Sequence, residues 1–152
     1  MSKPKNVHGT GLLLGSTGVL LRGPSGAGKS VLALTLLERW TLRGLPAFLV
    51  SDDRVDLVRT DERVTMQAPP NLAGLIELRG RGIVSRPHQN AVPLDLVIDM
   101  VPEMVRMVEE DEFVTEIAGI TLPRAPVPYG NVISLGHQIL LVTEAMSALA
   151  QP

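Results

Sequence analysis

A mixed α/β fold is predicted for this chain by three observations. An apolar strand candidate, Gly18 to Arg22, runs straight into a glycine-rich turn and then into a helical pattern over Ser30 to Arg43. Short apolar runs follow, separated by Gly, Pro and acidic pairs, which is strand-like spacing. A last periodic stretch, Asn131 to Leu149, predicts a closing helix, although Gly136 weakens its middle. The 152 residues suit one domain spanning 1–152, with the polar stretch Met1 to Lys5 read as a flexible tail.

Each element has its own reason. Asn6 to Gly11 and the apolar run Leu12 to Leu14 open the chain, and Gly15 to Gly18 predicts a turn. In the first helix Leu32, Leu36, Leu37 and Trp40 recur at helical spacing, and Gly44 ends it. Ala47 to Val50 is a short strand that ends in Ser51-Asp52-Asp53. Val55 to Val58 and Val64 to Met66 flank Asp61-Glu62 as a hairpin. Pro69-Pro70 breaks the pattern. Leu75 to Leu78 and Ile83-Val84 are separated by Arg79-Gly80-Arg81-Gly82. Val92 to Val101 is the longest strand candidate. Glu103 to Glu112 is charged and irregular, Phe113 to Leu122 holds one or two short strands, and the three prolines of Pro123 to Gly130 predict irregular chain.

Composition excludes several function classes. There are no cysteines, so disulfides, thiolate metal sites and thiol nucleophiles are out. The formal charge is -2, from 14 basic and 16 acidic residues, and aromatics make up 3%. Neither a phosphate-backbone footprint nor a base-stacking platform is expected, so nucleic acid is not the predicted partner. No apolar run approaches the ~18 residues of a membrane span. The cytoplasm is the expected compartment.

The strongest motif is Gly23-Pro24-Ser25-Gly26-Ala27-Gly28-Lys29-Ser30, which meets G-x-x-x-x-G-K-[ST] at every fixed position. Phosphate oxygens need converging backbone N–H groups, and glycines let the chain wrap closely enough to supply them. Lys29 would bridge the terminal phosphates, and the Ser30 hydroxyl would ligate Mg²⁺. Lys29 is the one lysine outside the N-terminal tail. Asp52 and Asp53 follow the next strand. If that strand runs parallel to Gly18–Arg22, both carboxylates reach the sheet edge where ligands bind. Their side chains diverge, so one can face Mg²⁺ or its waters and the other an acceptor hydroxyl as general base. Asp99, after Leu96-Val97-Ile98, is a rival metal ligand, although an edge aspartate is the preferred reading there. Glu77 and Arg79 share one strand face, which from spacing alone reads as a solvated face.

Four features taken in order, His8-Gly9, the loop Gly23–Ser30, Asp52-Asp53 and the stretch Glu77–Ile83, resemble the catalytic domain of bacterial HPr kinase/phosphorylase in a short form without its N-terminal domain. The last stretch is similar to that family's L-E-I-R-G-x-G-I signature. The resemblance implies an HPr kinase/PEP carboxykinase-like fold. It implies an ATP- and Mg²⁺-dependent serine kinase acting on a phosphocarrier protein (HPr or NPr-like) of the phosphotransferase system, with reverse phosphorolysis as a second direction. On that basis Asp53 is the base, Lys29 binds phosphate, Ser30, Glu77 and Asp52 serve the metal, and His8 and Arg106 complete the catalytic set. A homo-hexamer is also implied. Two positions depart from the family pattern. Val31 stands where a glutamate is usual, and Pro126-Val127-Pro128-Tyr129-Gly130-Asn131 lacks the arginines of the segment linked to dephosphorylation. A small-molecule kinase and a nucleotide-sensing module are the competing expectations. A GTPase is disfavoured by the lack of an N-K-x-D motif.

Overall fold

The computed structural model of the chain describes residues 3–149. Its strands are β1 (Lys5–Leu14), β2 (Thr17–Arg22), β3 (Ala47–Ser51), β4 (Arg54–Thr60), β5 (Arg63–Gln67), β6 (Leu75–Leu78), β7 (Gly82–Ser85), β8 (Val92–Pro93), β9 (Leu96–Val101), β10 (Val114–Ile117) and β11 (Ile120–Pro128). Two helices accompany them, α1 (Lys29–Leu42) and α2 (Leu135–Leu149), with a single 3-10 turn at Glu110–Phe113. Nine strands form one mixed sheet in the order β10-β11-β9-β2-β1-β4-β5-β8, with β3 also paired to β1. The hairpin β6–β7 stands apart as a two-stranded sheet. The predicted α/β class holds.

β1 organises the sheet. Its first residues, Lys5 to His8, pair with β4, and from Gly9 onward it pairs with β2. Gly11 to Leu14 pair with β3 on the other side. The switch falls at Gly9, where a Cβ would sit 2.7 Å from the Leu21 carbonyl oxygen. Both β2 and β3 are antiparallel to β1, so they run in the same direction. The expectation of parallel strands is met across an intervening neighbour, and Asp52 and Gly23 leave the sheet at the same end.

Strand alternation divides the core in two. Leu12, Leu14, Val19, Leu21, Leu49, Ile98, Met100 and Val127 face α1 and α2, packing on Leu32, Leu36, Ile139 and Val142. Leu20, Val50, Val97 and Leu122 face the other way, onto Val55, Leu57, Val64, Met66 and Val92 of the curled outer strands. An aliphatic composition suffices because both faces of β2 and β9 are covered.

Several predicted boundaries are corrected. Met1 and Ser2 lie outside the described residues, but Lys5 is no tail residue, since it pairs with Leu57. Val92 to Val101 is two strands. Val92 and Pro93 pair with β5, whereas Leu96 onward pairs with β2. Between them Asp95 and Gly18 are bound reciprocally, Asp95 N–H to Gly18 O at 2.8 Å and Gly18 N–H to Asp95 Oδ2 at 2.9 Å. Helix α2 begins at Leu135, so Gly136 falls in its first turn, where it weakens little. The largest departure is Pro123 to Pro128, which is strand and not irregular chain, running parallel to β9. Tyr129 N–H donates to Val101 O at 2.9 Å. By alternation the odd-numbered N–H groups point at β9, and Pro126 and Pro128 turn their missing donors to the uncovered side.

Asp99 is not free for a metal. Arg22 Nε and Nη2 donate to its two oxygens at 2.7 and 2.8 Å, and Arg124 Nε donates to Oδ2 at 2.6 Å. Burial alone would raise its pKa, but the hydrogen bonds and charges of Arg22 and Arg124 outweigh it and hold the carboxyl below its ordinary 3.8.

Two outcomes are expected. Alanine at Gly18 would drive a Cβ into the Pro93 carbonyl, a backbone atom that cannot give. Gly18→Ala should therefore cost about 3 kcal/mol or more in urea unfolding. A carboxylate with a depressed folded pKa adds stability above its unfolded value and loses it as pH falls through the folded one. The urea midpoint should thus drop on acidification below about pH 4, and Asp99→Asn should remove part of that dependence.

Candidate active site

The phosphate loop is shaped by its glycines. Gly28 takes φ 96° and caps α1 with no side-chain hydrogen bond, leaving the first N–H groups of the helix open to an anion. Leu32 N–H donates to Gly28 O at 3.0 Å, which starts the helix immediately after the loop. Lys29 is 92% buried, with 8% of its surface exposed. Its Nζ donates to the loop carbonyls of Gly23 at 2.6 Å and Pro24 at 3.0 Å. Burial lowers the Lys29 pKa, and the Asp52 and Asp53 carboxylates partly oppose that shift.

The two aspartates sit on a tightly tied turn between β3 and β4. Ser51 Oγ donates to Arg54 O at 2.6 Å, and Arg54 N–H donates to Asp52 O at 2.8 Å. Asp53 is left-handed, φ 67°, a conformation that Asp tolerates better than most residues. Its carbonyl accepts the Gly9 N–H at 3.1 Å. The side chains diverge as the alternation predicts. Asp53 Oδ1 lies 2.9 Å from His8 Nε2, on side chains that are 71% and 40% exposed respectively. Asp52 points inward, where Oδ1 accepts from the buried Thr10 hydroxyl at 2.7 Å and Oδ2 from Glu77 N–H at 3.4 Å. Asp52 therefore ties β1 to β6, whereas Asp53 keeps one carboxylate oxygen with no hydrogen bond among the described residues.

One cleft of about 600 Å³ is lined by His8, Ser25, Gly26, Gly28, Lys29, Ser30, Asp52, Asp53, Glu77 and Arg79. The same cleft is also lined by apolar side chains, Val31, Leu72, Leu75, Ile76 and Ile83. Gly23, Pro24 and Ala27 complete the loop, with Ala27 N–H bound to Pro24 O at 3.2 Å. Arg106 is exposed in the stretch between β9 and the 3-10 turn, and it is not among the residues lining the cleft.

Among the described residues no three His, Asp or Glu side chains gather closely enough to hold a metal ion alone. Ser30, Asp52 and Glu77 share the cleft, and that donor set fits Mg²⁺ arriving with phosphates. Mg²⁺ commonly takes one or two carboxylates and fills its other positions with water and phosphate oxygens.

Sequence reasoning overlooked Thr10, the hydroxyl that fixes Asp52. The signal was available, since Thr10 lies two residues from His8 on the same strand face. The Arg22–Asp99–Arg124 contact was not legible, because residues 22, 99 and 124 are brought together only by the sheet order. Among the described residues no helix is long and apolar enough to cross a membrane.

Comparison with known proteins places the chain in a family. Residues 1–148 match the HPr Serine kinase C-terminal domain. HPr kinase/phosphorylase of Lacticaseibacillus casei (strain BL23) is 28% identical over 95% of this chain and 46% of its own length. That of Enterococcus faecalis (strain ATCC 700802 / V583) is 30% identical over 91% of this chain and 45% of its own. The chain thus spans about half the length of the curated relatives it matches. A solved structure, the Hpr(Ser) kinase/phosphatase from Coxiella burnetii, superposes with a TM-score of 0.76 at 26% identity, covering 95% of this chain and 92% of that one. With its phosphate loop, paired aspartates and β6–β7 hairpin in one cleft, the chain belongs to the HPr serine kinase C-terminal domain family.

Proposed function

We propose that the chain is a kinase that transfers a phosphoryl group from ATP, with Mg²⁺, to a seryl hydroxyl of an HPr- or NPr-like phosphocarrier protein. The observation that supports this most is the exposed His8–Asp53 pair in the same cleft as Lys29 and Ser30. A general base must reach both solvent-borne acceptor and phosphate, and Asp53 is the open member of the aspartate pair.

In this reading the open N–H groups at Gly28–Ser30 hold the phosphates. Lys29 leaves its loop carbonyls and places its charge on the terminal phosphate oxygens. Asp53 accepts the proton of the seryl hydroxyl as the serine oxygen bonds to the γ-phosphorus and ADP departs. His8 orients Asp53 through the 2.9 Å contact. Ser30, Asp52 and Glu77 would hold Mg²⁺, Asp52 through the lone pairs left beside its bonds to Thr10 and Glu77, and the ion would supply positive charge against the phosphates. Arg106 reaches the reacting phosphate only if its loop moves inward when a partner docks. The reverse direction, phosphorolysis of the phosphoserine by inorganic phosphate, would use Asp53 as the acid. The working form is proposed to be a cytoplasmic homo-hexamer.

Purified protein incubated with Mg²⁺, ATP and phosphocarriers from the same cell should yield a phosphoserine detectable by mass spectrometry. Chelation of Mg²⁺ should abolish it. ATP turnover without any phosphoprotein would replace this reading with a small-molecule kinase. Asp53→Asn should lower the rate at least about 100-fold while leaving nucleotide binding intact, whereas Lys29→Met should lose binding itself. The left-handed turn adds a control: Asp53→Asn should fold as stably as wild type, whereas Asp53→Ala should lose about 1 kcal/mol on thermal or urea unfolding.

A further inference from the structure

On the sheet face away from α1, three charged side chains meet across three adjacent parallel strands. Arg22 ends β2, Asp99 lies in β9 and Arg124 lies in β11. They share a face with Leu20, Val97 and Leu122, whose contacts belong to the second core. Asp99 accepts three charge-assisted hydrogen bonds, from Arg22 at 2.7 and 2.8 Å and from Arg124 at 2.6 Å. Arg124 also donates to Glu112, at 2.8 Å to its carbonyl and 3.0 Å to its carboxylate. Asp99 is 18% exposed and Arg124 16%, so water screens the contact weakly. Among the described residues no buried side-chain N or O lacks a partner.

The phosphate loop is tied at two points to the strands that carry this group. Gly23, its first residue, directly follows Arg22 and lies over β9 so closely that a Cβ there would be 2.7 Å from Met100 Cβ. In the middle of the loop, Ala27 O accepts the Gly130 N–H at 3.1 Å. Gly130 in turn follows Tyr129, whose N–H is bound to Val101 at the end of β9. A shift of β2 or β11 against β9 would thus change the separation of Gly23 and Ala27.

We propose that Arg22, Asp99 and Arg124 form a positioning clamp that holds the phosphate loop in its nucleotide-binding shape from the opposite face of the sheet. Asp99 then acts through its two arginines and not as a metal ligand, although it stands at the strand position where a metal-binding carboxylate is expected. The inference deepens the kinase reading, because it rests on Gly23–Ser30 being the nucleotide loop.

The test uses a fluorescent ADP analogue with Mg²⁺, which needs no knowledge of the acceptor. Measured well below the melting temperature, Asp99→Asn should bind the analogue roughly tenfold more weakly or worse. Its Mg²⁺ midpoint at saturating analogue should equal that of wild type. Asp99→Glu should recover most of the affinity. A triple variant, Arg22→Met with Asp99→Leu and Arg124→Met, replaces the charges by apolar groups. It should regain the melting temperature without regaining affinity. If Asp99→Asn does not fold, Arg124→Lys, which keeps the charge but loses the fork, reads the same affinity. Unchanged affinity in the folded single variants, or full affinity in the triple variant, would reduce the cluster to a structural ion pair and overturn the proposal. A shifted Mg²⁺ midpoint would overturn it in favour of a metal ligand. Wild type that binds no analogue would overturn the kinase reading, and this inference with it.

Discussion

The cleft depends on a single strand that changes partners in mid-course. β1 gives its first four residues to β4 and the rest to β2 and β3, with the switch at Gly9. His8 and Thr10 therefore stand on either side of the switch and on one face. The two antiparallel neighbours deliver the phosphate loop and the aspartate turn to the same edge. Backbone hydrogen bonding in a sheet is close to obligatory, so the relative placement of Lys29, His8 and Asp53 follows from register and does not rely on side-chain packing. The close approach of Gly9 to Leu21 O shows how little room that junction leaves for any other residue.

Two neighbouring carboxylates are kept distinct by the same geometry. Asp52 is turned inward and takes hydrogens from Thr10 and Glu77, which couples the main sheet to the separate β6–β7 hairpin. Asp53, one residue on, is turned outward by its left-handed backbone. Like charges side by side would repel each other, and the divergence eases that cost. The partly buried Lys29 ammonium gains from both carboxylates, although burial still lowers its pKa.

Much of this was legible in the primary structure because it is local. The phosphate loop, α1 and the aspartate turn lie within 31 consecutive positions, 23–53, and each carries its own short-range signal. Thr10 was within reach of strand periodicity. What could not be read was set by distant pairing. Val92 to Val101 looks like one strand because apolar content does not reveal that its halves belong to different neighbours. Pro123, Pro126 and Pro128 argue against a strand only when both sides need donors. At β11 Pro126 and Pro128 fall on positions whose N–H would face away from β9, Pro123 lies just before the β9 pairing begins, and no local pattern announces that. Asp99 carries no mark of its arginine partners, which are 77 and 25 residues away along the chain.

The Lys29 ammonium held between the Gly23 and Pro24 carbonyls has a further consequence. In this form the loop is closed on its own cation, and under the proposed kinase reading an incoming phosphate would have to displace those two carbonyls from the lysine. An anion that enters must supply oxygens good enough to exchange for two short hydrogen bonds to backbone carbonyls. A compact monoanion offers few contacts in return, whereas a chain of phosphates engages the lysine and the helix N-terminus together. Under the proposed kinase reading the closed lysine would thus work as a threshold for selectivity, sorting anions by valence and reach before any acceptor is present.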